Sequence, residues 1–176
     1  MWYNQTMINE TLHIRFIPIF EDREFIEAAN EYALIWREEG NRILDVIQKV
    51  TNLTFIESRI AAVVYDGVSF SGRSPKDIMK IRFSYDTENK KATLVHELSH
   101  RLLFNLINKP DTDEHQTLFL FLYDVWIELY GDEFANKMVE TEKVRDEKYF
   151  TAWSFALSFT KEQRREKFTE FLGIYK

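Results

Sequence analysis

An α+β fold, with a small mixed sheet and a packed helix in the first half and helices alone in the second, is predicted by three features of the 176-residue sequence. Runs rich in β-branched and aromatic residues, TLHIRFIPIF at residues 11–20, RIAAVVYD and KIRFSYD, all fall before residue 87 and read as strands. After Thr87 the apolar residues recur at helical spacing only. No internal repeat, low-complexity linker or abrupt composition shift divides the chain, so residues 1–176 are expected to form one domain.

Taken in order, the first strand carries Pro18, which implies a sheet edge or a strand end because proline brings no N–H to a ladder. His13 and Arg15 share one face of it, and His13, alternating with Leu12 and Ile14, is read as a surface residue. From Arg23 to about Val50, Phe25, Ile26, Ala29, Ala33, Ile35, Trp36, Ile43, Leu44 and Ile47 predict a helix, continuous or broken near Gly40. Between the next two strands, GVSFSGRSPK carries two glycines and Pro75 and is expected to form a loop or irregular hairpin. Helices are then expected over about 88–107, 112–130, 132–148, 150–158 and 160–172, with breaks at Lys109-Pro110, Gly131-Asp132 and Thr160. The aromatic run LFLFLYDVWIELY is read as core, and Asp124 and Glu128 within it as solvated charges.

Composition narrows the function classes. With 45% apolar and 15% aromatic residues the chain should fold, and a formal net charge of −6 supplies no basic footprint for nucleic acid or an anionic membrane. The one basic pair, Arg164 and Arg165, sits among Glu162, Glu166 and Glu170 and is read as a solvated helix face. There is no cysteine, so a zinc site here can use only nitrogen and oxygen ligands. The start lacks the pattern of a signal peptide and no run reaches the roughly 18 apolar residues of a membrane span, so a cytoplasmic protein is expected.

The chemistry concentrates in TLVHELSHRLL, residues 93–103. On a helix His96 and His100 lie one turn apart and point the same way, so two imidazoles can bind one metal with little ordering cost, while Glu97 lies beside them over a bound water. Leu94, Val95, Leu98, Leu102 and Leu106 form one apolar stripe, and the histidines run in line with Leu103 and Ile107, so the helix is apolar on two sides and should be sandwiched.

This HExxH pattern, in this order of elements, resembles the zincin metallopeptidases. The resemblance implies a helix between a sheet lobe and a helical lobe, Zn2+ as cofactor, and a peptide or protein substrate whose backbone pairs with the edge strand before the helix, here Ile81 to Tyr85. The residues after His100, RLLFNLINKP, lack the metzincin continuation, and no subfamily is assigned. His115 is the first choice for third ligand, because it begins the next helix on a face continued by Leu118, Phe119, Leu122 and Trp126; Glu-ligand zincins make Glu114 and Glu128 the rivals. A HExxH with a His one short loop later is similar to small SprT-type zincins, at a different spacing.

The function expected is zinc-dependent peptide hydrolysis, with metal on His96, His100 and His115 activating a water and Glu97 as general base and then proton donor to the leaving amine. Tyr123, Tyr149 and Arg101 are available types for stabilising the oxyanion. The alternative is a catalytically weak zinc-binding regulatory or interaction protein on the same scaffold; Glu97 favours catalysis, since a binding site needs no base. A deformylase-like site of the common type needs a cysteine ligand, which is absent.

Overall fold

Alternation along two short segments makes the sheet. In β1 (His13–Pro18) His13 and Arg15 face outward, and in β2 (Arg59–Tyr65) Ile60, Ala62 and Val64 are buried while their neighbours are not. The structure is a computed structural model that describes residues 12–104, 106 and 114–173; the expected break at Lys109-Pro110 and residue Ile107 lie outside the described residues. β1 and β2 run parallel, His13 opposite Arg59 through to Pro18 opposite Val64, joined by α1 (Arg23–Thr51). Pro18 is the last residue of an edge strand, as its missing N–H requires.

Helix α1 is one element and passes through Gly40 unbroken. Glycine in a helix interior costs about 1 kcal/mol relative to alanine. Here it makes room: a Cβ at position 40 would sit 2.9 Å from Cδ2 of Trp36. The helix ends where Asn52 turns left-handed at φ 58° and its N–H returns to the Gln48 carbonyl.

The expectation of a mixed sheet with a hairpin is corrected by the pairing of β3 (Met79–Arg82), which lies parallel to β2 with Ala62 opposite Met79 and Tyr65 opposite Arg82. All three strands are parallel, in the order β1-β2-β3. Residues 66–78 are long enough to cross over without a helix. On the way they form one antiparallel bridge, Phe70 with Lys80, whose two N–H to O bonds are each 2.8 Å. The hairpin signal of the sequence is that single bridge.

The rest is helical: α2 (Thr87–Leu103), α3 (Glu114–Tyr130), α4 (Asp132–Lys143), α5 (Glu147–Leu157) and α6 (Lys161–Phe171). Each stop has a local cause. Asp86 caps α2 by accepting from the Asn89 N–H, Gly131 turns at φ 87°, and Thr160 and Gln163 form a capping box at α6. The expected helix over 132–148 is cut because Asp146 accepts the Tyr149 N–H at 2.9 Å and starts a new one.

Every residue from Ala92 to Leu103 is buried, so α2 is enclosed as its two-sided apolar pattern predicts, with β3 and α1 against it and α3 on the other flank. α3 is central and touches α1, α2, α4, α5 and α6. Its aromatic run is core: the Trp153 ring stacks on Phe119 at 3.9 Å and lies 5.6 Å from Trp126. Among the described residues no helix is long and apolar enough to cross a membrane.

Candidate metal centre

Enclosure of α2 brings His96 and His100, 2% and 7% exposed, against the first turn of α3, where His115 projects toward them. One ligand atom from each of the three rings lies within 4.8 Å of the others. The His115 ring is 4.9 Å from that of His100 and 5.8 Å from that of His96, and the Nε2 atoms of His96 and His100 are 3.1 Å apart. His13 is exposed on β1 and takes no part.

The outer nitrogens decide what this cluster can hold. Nδ1 of His96 is 2.7 Å from Oε1 of Glu142, and Nδ1 of His100 is 2.7 Å from Oε1 of Glu114. An ionised carboxylate only accepts, so each Nδ1 carries a proton and each ring turns its Nε2 inward. At 3.1 Å the two Nε2 atoms face each other across a gap that a shared proton or a metal cation would bridge. Tetrahedral zinc with ligands at 2.0–2.1 Å needs nitrogens about 3.3 Å apart, so the pair is close to ligand spacing. The residues therefore fit a metal ion, and their carboxylate partners are of the kind that orient ligating imidazoles.

Electrostatics agree with that division of labour. Burial pushes the His115 imidazole down to about 3, with His96 and His100 adding to the effect, so the ring is neutral near pH 7. Burial alone would raise the Glu142 carboxyl, but the charge and hydrogen bond of His96, helped by Arg145 and the Trp153 N–H, hold it below its ordinary value. Trp153 Nε1 donates to its second oxygen at 2.9 Å. Glu97 lacks comparable bonds, and burial pushes it up to about 7; the charges of Glu142 and Glu114 add to this while His100 and Arg145 oppose it.

Five expectations are corrected. Glu128 pairs with Lys49 at 2.5 Å and lies thirteen residues along α3 from His115, about 20 Å at 1.5 Å per residue, too far to ligate the same ion. Asp124 is not solvated but 5% exposed, gripped by Arg164 through two bonds of 2.7 and 3.0 Å, and Arg164 is buried with it. Only Arg165 of the basic pair faces solvent. Arg101 has no N–H left for an oxyanion: it donates to both Glu57 oxygens and to the carbonyls of Ser71, Pro75 and Asp77. The outward backbone of β3 is not a free rail either, since Lys80 is bonded to Phe70, the Arg82 N–H to Ser69 Oγ and the Arg82 carbonyl to Tyr32.

Glu114 stands at the site as the partner of His100, not as a nitrogen-displacing rival, with its side chain 47% exposed. Of the other two oxyanion candidates, Tyr123 hydrogen-bonds Asn136 and lies under the Arg164 guanidinium, whereas the Tyr149 ring is 4.5 Å from His115 and 6.1 Å from His96. Arg145 stands beside Tyr149, its guanidinium 5.7 Å from that ring and 3.9 Å from Glu142.

Sequence reasoning missed Glu142, Trp153 and Arg145. A signal for Glu142 exists: Ala135, Met138, Val139 and Glu142 follow one i, i+3, i+4, i+7 stripe, so the carboxylate occupies a core position of α4. A charge there requires a buried partner. Compared with protein families, curated proteins and solved structures, the chain matches none of them.

Proposed function

We propose that the chain is a zinc-dependent metallopeptidase of the HExxH type on a zincin-like fold, acting on a peptide or protein substrate. The observation that carries this reading is the convergence of His96, His100 and His115 within 4.8 Å, with two rings pinned by carboxylates at Nδ1, beside a buried glutamate poised near neutrality. His96, His100 and His115 would hold the ion, whose contribution when bound is Lewis acidity toward a water and a scissile carbonyl.

The chain's own residues divide the remaining work. Glu142 and Glu114 fix the tautomers of His96 and His100, and Trp153 fixes Glu142 in turn. Glu97 is the general base: its carboxylate takes a proton from the attacking water and returns it to the leaving nitrogen, a cycle favoured when the acid and base forms are both accessible near pH 7. Tyr149, next to His96 and His115 and backed by the Arg145 guanidinium, is the group placed to donate to the developing oxyanion.

Digestion of a denatured-protein or peptide mixture by the zinc-loaded chain, read by mass spectrometry, tests the reading. The parent is expected to cleave, and Glu97→Gln to retain one zinc per chain while cleaving at least about a hundredfold more slowly. No zinc uptake would sink the proposal. Zinc uptake without cleavage by the parent would favour the binding protein over the enzyme, and unchanged turnover in Glu97→Gln would place the base elsewhere.

A further inference from the structure

On the face of α3 that turns away from the histidines, a cleft of about 210 Å³ opens between the end of α1, the middle of α3 and α6. Its floor is apolar: Val50, Leu120, Phe121 and Phe168, with the two phenylalanine rings 4.9 Å apart. Its rim is charged, with Lys49, Lys161 and Arg165 against Glu128, while Asp124 in the wall is neutralised by Arg164 behind it. Glu128 is engaged by Lys49. Lys161 and Arg165 are exposed at the mouth of the cleft, and among the described residues neither makes an ion pair.

We propose that this cleft binds a small amphipathic carboxylic acid, with the alkyl or aryl part on the phenylalanine floor and the carboxylate between Lys161 and Arg165. The two surfaces define the class together. An inorganic anion would meet the cations but leave the apolar floor wet, and a neutral hydrocarbon would cover the floor but make no use of the cations at the rim. At about 30 Å³ for a water-sized group, the volume corresponds to about seven such groups, the scale of a short alkyl or aryl chain. Ligand sites of this kind are apolar with a few placed polar groups, and this one lies below the drug-sized range of about 300–1,000 Å³. The proposal is independent of the metal: its residues come from α1, α3 and α6, and none is a partner of the three histidines.

Octanoate is the probe, with octan-1-ol and octylammonium as neutral and cationic controls, in calorimetric titration of the full chain checked by protein-detected NMR. Octanoate is expected to bind at sub-millimolar concentration, at least about tenfold more tightly than either control, and the exposed double variant Lys161→Glu, Arg165→Glu to lose at least about tenfold while keeping the parent's circular dichroism. His115→Ala should bind octanoate like the parent. Absence of saturable octanoate binding at 5 mM, about the weak limit of a specific site, would overturn the proposal. So would octanol binding as tightly as octanoate, which would make the cleft a purely apolar groove, or full affinity in the double variant.

Discussion

Two buried polar clusters are built on α3, one at its first turn around His115 and one in its middle at Asp124, and they differ in what they still need. Asp124 and Arg164 satisfy each other through paired bonds, and Arg164 also reaches the Phe159 carbonyl at 2.8 Å. The charges cancel and the cluster is complete. At the histidine end the carboxylates of Glu142 and Glu114 are taken up by the outer nitrogens, and the inner nitrogens of His96 and His100 face each other at 3.1 Å with the His115 ring beside them. The difference teaches how to tell a closed polar cluster from a candidate metal site: ask where ligand-type atoms converge after the internal pairs are made.

That contrast can be broken from either side. The largest effect should follow from Arg164→Met, which strands a buried carboxylate and is expected to lower stability by about 3–5 kcal/mol in denaturant unfolding, while the folded fraction binds zinc like the parent. Adding Asp124→Leu should recover part of the loss. If Arg164→Met costs less than about 1 kcal/mol, the pair is not the closed unit described. On the proposed reading His115→Ala removes a ligand outright and should weaken zinc by well over about a hundredfold in chelator competition. Equal affinity in His115→Ala would move the third ligand elsewhere.

Smaller changes sharpen the orienting role of the carboxylates. Glu142→Gln is expected to cost about 10–100-fold in zinc affinity, since it disturbs a fully buried partner, and the half-exposed Glu114→Ala about tenfold or less. The reverse ranking would make Glu114 a ligand. The smallest effect concerns Glu97 in the metal-free protein. Its folded pKa of about 7 lies above the unfolded value, so burying the ionised form destabilises the fold. That destabilisation is absent below the unfolded pKa, near 4.5, grows as pH rises toward 7, and is constant above it. Glu97→Gln should therefore raise the melting temperature at pH 8 by a few degrees, and the gain should vanish near pH 4. A gain that does not depend on pH would show that ionisation of Glu97 is not its cause.

What was legible in the sequence follows from period and spacing. The pair His96 and His100 with Glu97 is a local pattern on one helix, and the apolar stripes on both sides of it correctly predict a buried α2. The position of His115 was legible because it extends an apolar face of α3. Strand direction was not: β2 and β3 look the same in sequence whether paired by a hairpin or a crossover, and the segment between them holds a real antiparallel bridge at Phe70. Partners across the fold were not legible either, because Asp124 with Arg164 and His96 with Glu142 are separated by forty or more residues. Their common trace is a charge at a position where the helical stripe calls for an apolar side chain.

Arg101 carries one last consequence. It follows His100 directly, and its whole guanidinium is given to Glu57 and to three carbonyls of the segment between β2 and β3. That segment has the composition of a flexible flap, with glycines at 67 and 72 and serines between them. Bolted to the helix that carries the histidines, it cannot swing without unseating that helix. The stretch beside β3 is thus a fixed brace for the histidine-bearing helix, tied to it at the residue that directly follows His100.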